Sequence, residues 1–146
     1  MTQILIVDRQ EHSRDTLRRL LGTVGEIAVP VTSDGYETSV AAVCRHEIDI
    51  VLLDLAGSDD AMQTLADLKQ IRPRIRTLVL ADSIAPEIAL EFLEAGVDGY
   101  VARADGATAL IAAIRSVAAG GRYVCPDAGW RIAMSLLQAY PGTVLH

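Results

Sequence analysis

Apolar residues recur along this chain in two alternating rhythms. Short, largely β-branched runs occupy residues 4–7, 27–31, 48–53, 75–80 and 99–101. Three of them are almost wholly apolar rather than alternating, which predicts strands covered on both faces. Longer segments with helical spacing separate them. Leu17, Leu20, Leu21 and Val24 recur at intervals of three and four, with Arg14, Arg18 and Arg19 mostly on the other side. Ser33 stands where it would cap a second helix carrying Val40, Val43 and Cys44, with Glu37 in the first turn. Leu65 and Leu68 mark a third helix ended by Pro73. Residues 84–95 read as a fourth, closed by Gly96, and Asp105 is placed to cap a fifth that reaches Ala119. Beyond Gly121, Tyr123-Val124-Cys125-Pro126 reads as an extended connector. It leads to a sixth helix over residues 127–140 with two apolar stripes, Trp130, Met134, Leu137 and Ile132, Leu136, Tyr140.

Five strand-helix units in strict alternation predict an α/β fold, a five-stranded parallel sheet, doubly wound, with an extra C-terminal helix. Ligands of such sheets sit beyond the carboxyl ends of the strands. The residues just past each strand are therefore the first candidates for chemistry: Asp8-Arg9, Asp54, Ala81-Asp82 and Arg103.

Composition narrows the field. Half of the 146 residues (51%) are hydrophobic but only six are aromatic, so the core must be aliphatic. A net charge of -6 argues against a general electrostatic grip on nucleic acid or anionic membranes. Cys44 and Cys125 lie far apart, outside any CxxC pattern, and imply neither a disulfide framework nor a zinc site. With no leader-like segment and no run of about 18 apolar residues, the chain reads as a soluble cytoplasmic protein. Other users of this architecture lack their signatures here. There is no GxGxxG after the first strand, no GxxxxGK[ST], no Asp-x-His-x-x-Gly and no Asp-x-Asp at Asp54-Leu55-Ala56. An independent enzyme is not expected.

Three segments in order, Ile4-Leu5-Ile6-Val7-Asp8, Asp49-Ile50-Val51-Leu52-Leu53-Asp54-Leu55 and Ala95-Gly96-Val97-Asp98-Gly99-Tyr100, resemble the receiver domain of two-component response regulators. The stretch Ala112-Ala113-Ile114-Arg115-Ser116-Val117-Ala118-Ala119-Gly120-Gly121-Arg122-Tyr123 is similar to the end of receivers in the NarL/LuxR subfamily. The resemblance implies a flavodoxin-like, CheY-like fold, with residues 1–121 as receiver and 122–146 as connector and C-terminal helix. It also implies that Asp54 accepts a phosphoryl group from a histidine kinase. The family's helpers are a magnesium ion on an acidic pair after the first strand, a lysine after the fifth, and a Ser or Thr after the fourth.

This sequence departs at those helpers. The acidic pair reads Asp8-Arg9, the hydroxyl position Ala81 and the lysine position Arg103, and the loop after Asp54 reads Leu55-Ala56-Gly57-Ser58-Asp59-Asp60. Three carboxylates and a lysine sum to about -2, whereas Asp8, Asp54, Arg9 and Arg103 sum to zero. Unit charges about 5 Å apart interact by roughly 3 kcal/mol at an effective dielectric near 20. Replacing an anionic ligand by a cation should therefore leave no cofactor, or only weak magnesium held by Asp8, Asp54 and the Ala56 backbone. Arg9 is expected to lie on Asp54 or Asp8 in the metal's place. Plainer readings stand beside these: Asp54 and Asp8 as caps, Arg9 as a solvated loop side chain, Asp59-Asp60 as a helix start, His12 and His46 as surface residues, and Trp130 as packing.

Two functions follow from the resemblance: an atypical phosphorelay receiver, or a phosphorylation-independent interaction module. Implied partners are a histidine kinase or another signalling protein, and a second copy through the fourth helix, fifth strand and fifth helix or through the C-terminal helix. Ile88, Phe92, Tyr100 and Leu110 are the candidate contact residues. Specific DNA binding by this chain alone is not expected, because it ends too soon for the helix-turn-helix that follows such receivers. It is either a receiver cut from a longer regulator or one whose output runs through its sixth helix.

Overall fold

The structure is a computed structural model that describes residues 1–54, 60–82 and 85–139. Strands and helices alternate as β1 (Thr2–Val7), α1 (Glu11–Gly22), β2 (Ile27–Ser33), α2 (Tyr36–Arg45), β3 (Ile50–Asp54), α3 (Ala61–Ile71), β4 (Arg76–Ala81), α4 (Pro86–Glu94) and β5 (Gly99–Ala102). A 3-10 turn at Arg103–Asp105, α5 (Gly106–Ala118), β6 (Tyr123–Val124) and α6 (Pro126–Ala139) complete the chain. Every strand pairing is parallel, and the order is β2-β1-β3-β4-β5-β6.

Successive side chains of a strand point to opposite faces, and here both faces are apolar, so the sheet carries a core on each side. Leu5, Val51, Leu53, Val79 and Tyr100 face one core, which α2, α3, α4 and α6 close with Val43, Leu68, Phe92 and Ala128. Ile4, Ile6, Leu52, Leu78 and Val101 face the other, closed by Leu17 and Leu21 of α1 and Ile114 and Val117 of α5. The apolar runs thus give strands buried on two sides because helices cover both faces.

The sheet has six strands where five were expected. The connector supplies the sixth: Tyr123 lies opposite Gly99 and Val124 opposite Tyr100. The backbone N–H of Tyr123 donates to the Asp98 carbonyl at 2.9 Å and that of Cys125 to the Tyr100 carbonyl at 3.0 Å, so the edge of β5 is paired.

Two expected caps take other roles. Ser33 ends β2, and its Oγ donates to the Gly35 carbonyl at 2.8 Å and lies 2.6 Å from Thr38 Oγ1. It shapes the turn into α2, whose cap position is Gly35. Asp105 does precede α5, but its side chain makes no capping bond because the 3-10 turn feeds straight into the helix. Gly96 follows α4 with φ +93°, a left-handed conformation in which a side chain would be strained, and it closes the helix as expected. Ile84 and Tyr140, the expected outer ends of the fourth and sixth helices, lie outside the described residues.

The sixth helix packs on α4, with Ala128 buried and Trp130 66% exposed. This arrangement revises the expected contact face. Phe92, Tyr100 and Leu110 are buried in the cores, at 5%, 0% and 3% exposure, and of the four candidates only Ile88 faces solvent, at 47%. Helical spacing shows which residues share a side but not which side meets the sheet, and α6 now covers part of α4.

Candidate functional site

The carboxyl ends of β1, β3, β4 and β5 converge on one small region. Asp8 follows β1, Asp54 is the last residue of β3, Ala81 the last of β4, and Arg103 the first after β5. Parallel register sets them at one level, since Val7 lies opposite Leu53, Asp54 opposite Leu80 and Ala81 opposite Ala102. Asp8 and Asp54 are 1% and 2% exposed, deep for carboxylates, which are rarely buried unless paired.

The cation that meets them is Arg103. Its Nη2 forms a close ion pair with Asp54 Oδ2 and lies 3.8 Å from Asp8 Oδ2, while its Nε pairs with Asp82 Oδ1 at 2.7 Å. Nη2 also donates to Ser13 Oγ at 3.0 Å, and Ser13 Oγ lies 3.4 Å from Asp54 Oδ2. One guanidinium thus ties the ends of β3, β4 and β5 to α1. The reach is long because β4 lies between β3 and β5, and adjacent strands are about 4.8 Å apart. An arginine stem spans that gap, and its planar fork presents donors to two acceptors at once.

Arg9 does not take part. Its Nη2 pairs with Asp60 Oδ2 at 2.8 Å, with the two side chains 48% and 56% exposed. The expectation that it lies on Asp54 or Asp8 is therefore corrected: the side chain after Asp8 points to the rim and meets the start of α3. A second guanidinium reaches the site by a route not foreseen. Arg14 Nη1 donates to the Asp8 backbone carbonyl at 2.8 Å from the first turn of α1. The Asp8 carboxylate accepts the Gln10 N–H at 2.9 Å through Oδ1, which braces the turn before α1; the cap position of that helix is Gln10 and no side chain caps it, so Asp8 does not fill the capping role considered for it. Its Oδ2 is buried with no hydrogen-bond partner among the described residues, and Arg103 at 3.8 Å is the cation nearest to it.

Ala81 is 3% exposed and brings no hydroxyl to the site. The loop 55–59, including the Ala56 backbone, lies outside the described residues. Ser13 and Asp82 were not singled out as partners of Arg103, although Asp82 stood at a strand end; only the fold brings residues 13, 54, 82 and 103 together.

Two buried carboxylates, Asp8 and Asp54, stand at this level among the described residues. No group of three or more His, Cys, Asp or Glu side chains placed to hold a metal occurs among the described residues. One of the two buried carboxylates is already held by Arg103. The cavity bounded by Asp8, Arg9, Asp54, Asp60 and Thr64 measures about 10 Å³, close to the volume needed for one water.

Comparison with known proteins agrees with this topology. Residues 4–115 match the response regulator receiver domain family. The chain is 28% identical over 139 residues to the transcriptional regulatory protein DegU of Brevibacillus brevis, and 25% identical over 139 residues to the response regulator GacA of Pseudomonas viridiflava. These alignments cover 94% of this chain but 57% and 65% of the two relatives, so the chain spans about three fifths of their length. The crystal structure of a LuxR-family two-component response regulator from Aurantimonas sp. SI85-9A1 superposes with a TM-score of 0.87 at 26% identity, covering 94% of this chain and 99% of that one. The chain belongs to the response regulator receiver domain family, on its NarL/LuxR side.

Proposed function

We propose that this receiver works in two-component signalling chiefly through protein contact, with Asp54 held by Arg103 instead of standing ready beside a metal. The ion pair between Arg103 Nη2 and Asp54 Oδ2, on a carboxylate 2% exposed, is the observation that carries the reading. For Asp54 to accept a phosphoryl group, a carboxylate oxygen lone pair must attack phosphorus as the P–N bond to the donor histidine breaks and its imidazole leaves, while two further negative charges approach. Here Oδ2 is engaged by a guanidinium, which must move or share its donors before that oxygen attacks. Arg103 would be the main charge left to offset the incoming group, because Arg9 is turned to Asp60. Acceptance is then slow and largely independent of magnesium.

The partner in this reading is a histidine kinase or another signalling protein within the cytoplasm, met through surface residues such as Ile88 and Trp130. The chain alone does not read DNA, and its charge of -6 supports that. No described helix is long and apolar enough to cross a membrane.

A second reading, an efficient phosphoryl acceptor, draws on the orphaned Asp8 Oδ2, which could serve an incoming cation if Arg103 swung out. Incubation with a small phosphodonor, with and without magnesium, separates the two by intact-protein mass. Little labelling in either condition agrees with the first reading. Rapid, stoichiometric, magnesium-dependent labelling that is lost in Asp54→Asn would establish the second.

A further inference from the structure

A cleft of about 750 Å³ opens at the amino ends of the central strands, at the opposite end of the sheet from Asp54. It lies between the turn that joins α3 to β4, the start of β1, the residues before β3 and the end of α5. Its size falls within the range of small-molecule sites, about 300–1,000 Å³.

Three chemical features meet there. The first is positive charge: Arg72, Arg74 and Arg76 line the cleft against the single carboxylate of Asp49, on a chain whose net charge is -6. Arg72 is fixed by donating to the His46 carbonyl at 3.0 Å, and Arg76 by donating to the carbonyls of Val117 and Ala118 at 2.7 and 2.6 Å. Arg74 makes no hydrogen bond or ion pair among the described residues. The second feature is an apolar wall, where Ile71 is 41% exposed beside Pro73, with Ile48 and Ile75 beneath. The third is an acceptor, since Asp49 takes the Gln3 N–H at 2.7 Å on Oδ2 and keeps Oδ1 for another donor.

Clustered guanidinium groups call for phosphate or carboxylate oxygens. An exposed isoleucine and proline call for a flat or apolar body, and the lone carboxylate calls for a hydroxyl or amine. A mononucleotide carries all three on one molecule of suitable size. We infer that this cleft is a binding site for a nucleotide-class ligand, with the phosphate at Arg74, the base against Ile71 and Pro73, and a ligand hydroxyl or amine on Asp49. The site is independent of the Asp54 pocket and of the reading given above for it.

The test is amide chemical-shift mapping on the isotope-labelled full chain, titrated separately with AMP, adenosine and inorganic phosphate. AMP is expected to give saturable shifts at Asp49, Arg74 and Ile75, with an apparent Kd below about 1 mM. Adenosine and phosphate alone are expected to bind at least about tenfold more weakly. Arg74 is exposed and has no partner among the described residues, so Arg74→Ala should fold normally and weaken AMP binding by about tenfold or more, with Arg74→Glu abolishing saturation. The inference fails if AMP shifts do not saturate, if Arg74→Glu binds as the native chain does, if phosphate alone matches AMP, or if the shifts map to Asp8 and Asp54.

Discussion

Replacing Arg103 by alanine removes the guanidinium that pairs with the Asp54 and Asp8 carboxylates, and the cost can be worked from the geometry. Unit charges about 4 Å apart attract by about 4 kcal/mol at an effective dielectric near 20. The Arg103 side chain is 32% exposed, so solvent screening reduces that by roughly half. Against this, both carboxylate side chains are wholly buried, and stripping one partner from a buried pair leaves an uncompensated charge. The net loss is about 2–3 kcal/mol. For a domain of this size each kcal/mol is worth roughly 3–4 °C, so the melting temperature at neutral pH should fall by roughly 6–12 °C. The pairwise part is isolated by adding Asp54→Asn. If Arg103 stabilises chiefly through Asp54, Asp54→Asn with Arg103→Ala should cost less than the sum of the single changes by about 1 kcal/mol or more. An Arg103→Ala protein that melts with the native one, or costs that simply add, would refute the reasoning.

Other outcomes follow from the same structure. Arg9→Ala breaks only an exposed pair with Asp60 and should change stability by less than about 0.5 kcal/mol in thermal melts, in contrast to Arg103→Ala. Tyr100 is fully buried with no hydrogen-bond partner for its hydroxyl among the described residues. Tyr100→Phe should therefore be neutral or stabilising by up to about 1 kcal/mol by chemical denaturation. Burial pushes the Cys125 thiol and the Tyr100 phenol above their ordinary values. Both groups are neutral when protonated, so the unfolded chain ionises first and stability is complete below their ordinary values. It should then decline as pH rises from about 8.5, with the Tyr100 contribution following above about pH 10. Cys125→Ala should remove the earlier part of that decline, and thermal melts across pH 7–11 would read both.

The scaffold was legible because both of its rhythms survive in the sequence. Continuous apolar runs at residues 4–7 and 75–80 need cover on two sides, and the intervening amphipathic segments supply it. The strand-end rule placed Asp8, Asp54, Ala81 and Arg103 together without any knowledge of side-chain direction. What failed was direction and reach. Asp8 and Arg9 are neighbours in sequence, yet one turns inward and the other to Asp60, because consecutive residues leaving a strand diverge. The cation that does arrive comes from a strand two places away, and its partners Ser13 and Asp82 are set by tertiary closure alone.

The helix faces were misread for a related reason. Phe92 and Leu110 are as apolar as Ile88, and spacing cannot tell which of them the sheet will claim. Tyr123 and Val124 looked like a bare connector because a two-residue strand carries no periodicity of its own. They are strand only because β5 offers an unpaired edge.

The central claim is that a guanidinium, not a divalent ion, balances the carboxylates at the strand ends. Calorimetric titration of magnesium into the native protein and Arg103→Ala side by side tests it most directly. The native chain should show no saturable heat at magnesium concentrations below about 1 mM, with any gain in affinity confined to the variant. Sub-millimolar binding by the native protein, lost in Asp54→Asn, would contradict it.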